Sequence, residues 1–360
     1  MISAIPPVGS FKDDRREELT VGTPSPTPTG DDYRAILVRH RKTQLVMTRE
    51  NFQRLARTYD EAVDHIIERV MAVMDGVDRN GTPWLRAQLN LMQEIRARQD
   101  AYRRDYAELL DQSMLNSAQI AADREAEVAR LVGVTPAQNL APVLSRSAVL
   151  TTGVEVGVQF GSLAASAVED VANRYYEDGL KLSDRLFNLS AETLKTVEDT
   201  IVRGIADGSS ARNIATALQE AMSADGAATP RYNAMRIART EVNNAFRESH
   251  RRSVIDPNTG GMKDYITGIR WNLSLSHKES DICDIWAGHD EGLGRGVYTA
   301  DNVPSDHPHG LCYQTTELKY LPGVIPPSLA PNVDEVPRSQ VEYYARRGDG
   351  PAQARLARLA

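Results

Sequence analysis

Both cysteines of this 360-residue chain, Cys283 and Cys312, fall between positions 277 and 312, and so do four of its seven histidines, His277, His289, His307 and His309. Thiolate and imidazole are the donors zinc prefers, commonly as two local arms that complete a tetrahedron. Cys283 and His289 would form one arm and His307 and Cys312 the other, with His309 as a competitor. Asp281 offers a carboxylate that either ligates or orients a histidine. Pro308 fixes the backbone beside His307 and Gly310 permits a tight turn, which suits a knuckle-like loop. Yet no C-x-x-C, no H-E-x-x-H and no H-x-E with C-x-x-C occurs. Cysteine is also a small, often buried residue, and loop histidines are common on surfaces. Three readings stand side by side: a zinc site on Cys283, His289, His307 and Cys312, ordinary packing, and a Cys283–Cys312 disulfide.

The elements that would position these residues are mostly helical. Aromatics make up only 6% of the chain, while Ala, Leu, Arg and Glu are plentiful, which favours helix. The length allows two or three domains. Residues 1–45 are expected as a flexible arm, because PSPTPTGDD and its surroundings bury too little apolar surface to offset ordering entropy. Residues 46–135 are expected as a helical hairpin region. Leu55, Tyr59, Val63, Ile66 and Val70 step by 3 and 4, DRNGT makes the turn, and Leu85, Leu89, Met92, Ile95, Tyr102 and Tyr106 follow. A shorter helix is expected at 115–132. Residues 145–225 form a further helical region, in which GVEVGVQFG (153–161) reads as a soluble helix by its flanks, although its valines also alternate as in a strand and its glycines would suit membrane packing. Leu194, Val197, Ile201 and Ile205 make the next stripe, and Ser209 or Ser210 caps the helix after it. Pro230 opens a helix that carries RYNAMRIARTEVNNAFRESHRR. YITGIRWNL then reads as a strand, with Trp271 among its buried candidates.

The order of features from about 190 to 318 resembles the Mu F-like minor head protein family of tailed phages, also called the phage head-morphogenesis domain. The likeness runs through GIADGSSARNIATALQE and IARTEVNNAF, where Arg239, Thr240 and Glu241 match an Arg-Thr-Glu on a helix, then the strand at Trp271, then DICDIW and HPHGLC. Many members carry Asp-x-x-Cys-x-x-Cys followed by His-Pro-x-Cys-x-Cys. This chain keeps one cysteine of each pair, Cys283 and Cys312, together with His307 and Pro308, while Asp281 lies two residues before Cys283 and Trp286 and Gly310 stand where the other two cysteines would lie. The resemblance implies a Mu F-like domain at 226–320 within a mainly α protein that has a small α+β part, and leaves 321–360 as a Pro-rich, basic-ended extended tail.

It further implies a non-catalytic structural protein of the virion, assembled in the host cytoplasm, held in several copies at the portal vertex or capsid interior, and acting in head assembly, DNA packaging or delivery. Partners would be the portal protein, the major capsid or other head proteins, and packaged DNA. No membrane partner is expected, because no run of 18 apolar residues lacks polar interruption. The N-terminus shows no apolar stretch after a basic start, which argues against a secretory signal. Arg236, Arg239 and Arg247 share a helix face that would touch DNA or an acidic portal surface, or else stand solvated beside Glu241 and Glu248. The net charge of −7 weighs against a protein that mainly coats nucleic acid, so a DNA-binding accessory protein is the alternative, with a zinc-dependent enzyme carried in the virion beside it. No P-loop, G-x-S-x-G or dinucleotide fingerprint supports an enzyme. Zinc is the one cofactor the residues suggest.

Overall fold

Thr29 and Asp32 start the first helix. The Asp32 N–H donates to Thr29 Oγ1 at 3.2 Å and the Thr29 N–H donates to Asp32 Oδ2 at 3.0 Å, a reciprocal cap that satisfies donors a helix end leaves open. From this cap α1 runs over Gly30–Gly76. The computed structural model describes residues 28–76, 82–133, 152–174, 180–207, 209–223, 229–255, 262–304, 307, 310–325 and 328–359. The expected arm therefore ends sooner than position 45, since residues 30–45 are helical. Tyr33, Ile36 and Leu37 give that stretch a buried stripe, which the neighbouring Pro-rich run obscured in the sequence.

The second helix, α2, spans Thr82–Leu131 and lies antiparallel to α1. Arg69 donates to Glu94 at 2.8 Å toward one end of the pair, and Arg39 and His40 engage Glu127 toward the other. Between them Leu55, Tyr59, Val63, Ile66 and Val70 share a core with Leu91, Ile95, Tyr102 and Tyr106, but Leu89 of the expected stripe is exposed and Leu91 is buried instead. The stretch 115–132 is no separate helix. It continues α2, because Met114, Ala118, Ala122 and Ala126 prolong the buried stripe without a breaker. Most of DRNGT lies outside the described residues.

Four more helices follow: α3 (Thr152–Asn173), α4 (Leu182–Ala206), α5 (Ala211–Ser223) and α6 (Pro230–Ile255). GVEVGVQFG falls within α3 and is helical. Among the described residues no helix is long and apolar enough to cross a membrane. Ser210 Oγ accepts the Asn213 N–H at 3.2 Å and so caps α5. α6 is unusual, because it is polar in sequence yet buries Glu241, Asn243, Asn244, Arg247, Ser249, His250 and Ser253. Such a helix is tolerated inside only where its polar groups find partners.

A one-turn helix, α7 (Met262–Tyr265), leads into β1 (Ile266–Asn272); α8 (Ile282–Gly288), β2 (Val297–Tyr298) and β3 (Tyr313–Leu318) follow. The three strands form one antiparallel sheet in the order β2-β1-β3, with Ile269 opposite both Tyr298 and Thr316. The chain is thus mainly α with a small sheet. Ile266, Ile269 and Leu318 join the large helical core. Trp271, Leu273, Ile282, Cys283, Trp286, Tyr298 and Cys312 form a second core, a knob, with Val336, Val341, Ala345 and Ala352. Those last four overturn the expectation of an extended tail. After a 3-10 turn at Val333–Glu335, α9 (Arg338–Arg346) and α10 (Gly350–Leu359) fold back on α8. Val341, Ala345, Ala352 and Leu356 recur at helical steps, and this signal was overshadowed by the prolines before it.

Candidate metal centre in the knob

The N-terminus of α8 sets the centre. Asp281 is its N-cap: Oδ1 accepts the Cys283 N–H at 2.7 Å, while the Asp281 N–H donates to Asp284 Oδ2 at 3.0 Å. This capping box aims the second Asp281 oxygen outward, where His307 Nε2 lies 3.0 Å from Oδ2. Cys283, the second residue of α8 and fully buried, turns its sulfur to the same place. Single donor atoms of Asp281, Cys283 and His307 all lie within 4.8 Å of one another.

A second group adjoins the first through Asp281. His277 Nε2 lies 2.7 Å from Asp284 Oδ2 and 3.8 Å from Asp281 Oδ1, and its Nδ1 stands 3.8 Å from Cys312 Sγ. Asp284 Oδ1 also accepts the Asn332 N–H at 2.7 Å, which ties the segment after β3 to the site. The Cys312 thiol, then the Asp284 carboxylate, raise the His277 imidazole to about 9 against the opposing effect of burial. Burial would raise the Asp281 carboxyl, but His307, the Cys283 N–H and His277 together hold it below its usual range. Both carboxylates are turned toward imidazoles.

The structure thus brings Asp281, Cys283 and His307 together, with Cys312 on the far side of His277. His289 is elsewhere. It ends α8, with its N–H on the Ile285 carbonyl, and its ring stacks on Tyr298 with centroids 6.2 Å apart. His289 therefore has no place in the donor set expected from sequence, because a seven-residue helix separates it from Asp281. His309 and Pro308 lie outside the described residues. Both cysteines are free thiols. His277, though part of the cluster, stood outside the expected donor set, and Asp284 was not expected there at all; its signal was Asp281-x-x-Asp284, a capping box before an apolar run.

The second arm of the centre is held from outside the knob. Asn243 Nδ2 donates to the Gly310 carbonyl at 2.8 Å, Arg41 Nη2 to Leu311 at 2.8 Å, and Arg247 Nη2 to Cys312 at 2.5 Å. Arg124 Nη1 then donates to the Gln314 carbonyl at 2.9 Å, and the Tyr33 hydroxyl donates to that of Thr316. Five carbonyls from 310 to 316 are taken by side chains of α1, α2 and α6. These clamps were not legible beforehand, since a contact between α1 and β3 leaves no local pattern.

The same network explains the α6 residues. Arg247 is buried, with its guanidinium 5.5 Å from the Trp271 ring, so it belongs to the interior and not to the DNA- or portal-facing surface expected of it. Arg239 is half-buried over Phe52 at 5.2 Å, and Arg236 is exposed. Thr240 Oγ1 donates to the Arg236 carbonyl at 2.8 Å. Glu241 is fully buried, 3.7 Å from Arg174 and 3.4 Å from Asn244 Nδ2. Trp271 meets Trp286 edge-on, centroids 4.9 Å apart.

One layer deeper, Glu125, His250 and Thr316 are buried together. Thr316 Oγ1 donates to Glu125 Oε2 at 2.7 Å and lies 3.0 Å from His250 Nε2, while Arg124 Nε donates to Glu125 Oε1 at 2.8 Å. Burial, then Arg124, press the His250 imidazole down to about 3, so it is neutral. Burial would raise the Glu125 carboxyl, but Arg124 and the Thr316 hydroxyl hold it below its usual range.

In comparisons with known proteins, no family model, no curated protein and no solved structure matches this chain.

Proposed function

We propose that the chain is a non-catalytic minor head protein of a tailed bacteriophage, of Mu F-like type, acting at the portal vertex or capsid interior in head assembly, DNA packaging or delivery. The observation that carries the reading is a convergence. Trp271 meets Trp286 of DICDIW edge-on, and Asn243 and Arg247, on the helix that carries Arg239–Glu241, hold the carbonyls of Gly310 and Cys312 at the end of HPHGLC. Cys283 is fully buried, which keeps its thiol from any substrate and favours a structural part over a nucleophile. Cross-linking mass spectrometry on assembled particles tests the proposal. Cross-links from Lys42 of α1 or from exposed carboxylates of α1 and α2 to portal or capsid protein are expected, and particles that lack the chain would overturn it.

The alternative DNA-binding role needs a test other than truncation of the basic end. Removing residues 337–360 would strip Val341, Ala345 and Ala352 from the knob core. Arg346 and Arg358 are exposed, and neutralising them leaves that core in place. DNA retention that falls with this double change and with added salt would favour the accessory role.

A further inference from the structure

We propose that Asp281, Cys283 and His307 are three protein ligands of one zinc ion, with the fourth position filled by solvent. The proposal concerns this chain's own donors and stands apart from any role in a virion.

The donor chemistry is specific. One carboxylate oxygen, one sulfur and one imidazole nitrogen lie within 4.8 Å of each other, and Asp281 Oδ2 and His307 Nε2 are 3.0 Å apart. Zinc bonds of about 2.0 to 2.3 Å place tetrahedral donors about 3.3 to 3.6 Å apart. Small side-chain movements bring the three to that spacing. A single carboxylate among them disfavours calcium and magnesium, which need several oxygens, while the thiolate and imidazole suit zinc. Charge closes as well: one carboxylate, one thiolate and a neutral imidazole balance a divalent ion in a half-buried place.

The surroundings are arranged as a support. Asp281 is fixed by its cap bond to the Cys283 N–H at 2.7 Å, and Cys283 is fixed by burial in the knob core. Asp281 and His307 keep about a fifth of their side-chain surface exposed, which leaves an entry path. Bound zinc would join the start of α8 to the segment before β3 and so close the loop that carries β2. Binding would displace a proton from the Cys283 thiol to solvent, and it involves no redox step.

Titration of the full-length, metal-stripped chain with cobalt(II), followed by zinc displacement, tests this. About one cobalt per chain is expected, with a thiolate-to-cobalt charge-transfer band that zinc abolishes. Cys283→Ser removes that band, and His307→Ala weakens binding at least about tenfold. Since Cys283 is buried and its variant could fail to fold, the partly exposed His307→Ala and Asp281→Asn carry the test independently, with far-ultraviolet circular dichroism as the folding check. His289→Ala is the control and binds as the parent does. Absence of the band in the parent, unchanged cobalt affinity in both His307→Ala and Asp281→Asn, or loss of the band in His289→Ala would each overturn the proposal.

Discussion

The Trp286 indole N–H donates to Asp349 Oδ2 at 2.9 Å, joining α8 to the cap of α10 across 63 residues. The same carboxylate accepts the Ala352 N–H at 2.8 Å through Oδ1, so one side chain starts α10 and fastens it to the knob. Burial pushes the Asp349 carboxyl above its usual range, and the two hydrogen bonds only partly oppose this.

Asp349→Asn keeps one acceptor oxygen but sets its NH2 against the other donor, while it removes the desolvated charge, so at pH 7 it is expected to lose less stability than Asp349→Ala. Asp349→Ala leaves a buried indole N–H without its acceptor and should cost about 1–3 kcal/mol in urea unfolding. Equal losses in both variants would show that the charge itself holds the hairpin.

Acid stability should report on His250. Its folded value of about 3 lies below the ordinary imidazole value of 6.5, so the unfolded chain binds the extra proton in the window between them. Stability is then fully present above about 6.5 and declines as pH falls, and the depressed Glu125 carboxyl adds a loss of the same sign lower down. Between pH 7 and pH 5 the parent is expected to lose about 2 kcal/mol more than a His250→Gln variant. Denaturant melts at both pH values measure this, and parallel slopes would refute it.

Arg247 and Arg236 are expected to separate cleanly. Arg247→Ala strips the donor from the buried Cys312 carbonyl and the contact with Trp271, and should destabilise by about 1–3 kcal/mol. Arg236 is exposed, and its alanine variant should stay within about 0.5 kcal/mol of the parent. Thermal or urea unfolding of the pair decides.

Gly296 has φ 71°, and a Cβ there would fall 2.8 Å from the Ala287 carbonyl oxygen. Gly296→Ala combines a left-handed backbone with a backbone collision, and a loss of about 1–3 kcal/mol is expected. Gly292, also left-handed but open around its Cα, should lose less. Comparing their melting midpoints checks the difference.

Legibility in the sequence followed the range of the interaction. The α1–α2 pairing was readable because Leu55 to Val70 and Ile95 to Tyr106 carry their own period, and the strand at Trp271 was readable from its apolar residues. The helical tail was misjudged because Pro326 and Pro327 drew attention from Val341, Ala345 and Ala352. Cys283 and His307 stood in one expected donor set, beside packing and a disulfide as the other readings of the cluster. Their partner Asp281 ranked only as a competitor, and His289 was included, because spacing along the chain says nothing of which end of α8 a residue occupies. Tyr33 and Arg41 could not be assigned at all, since their partners are carbonyls about 270 to 283 positions away.

Those carbonyl partners have an architectural outcome. In the order β2-β1-β3, the outer margin of β3 would ordinarily offer free acceptors to an incoming strand. With Arg124 and Tyr33 occupying the carbonyls of Gln314 and Thr316, that margin is sealed from within the same polypeptide. Neighbouring molecules cannot lengthen the sheet on that side by laying a strand along it, and must read the helical exterior instead.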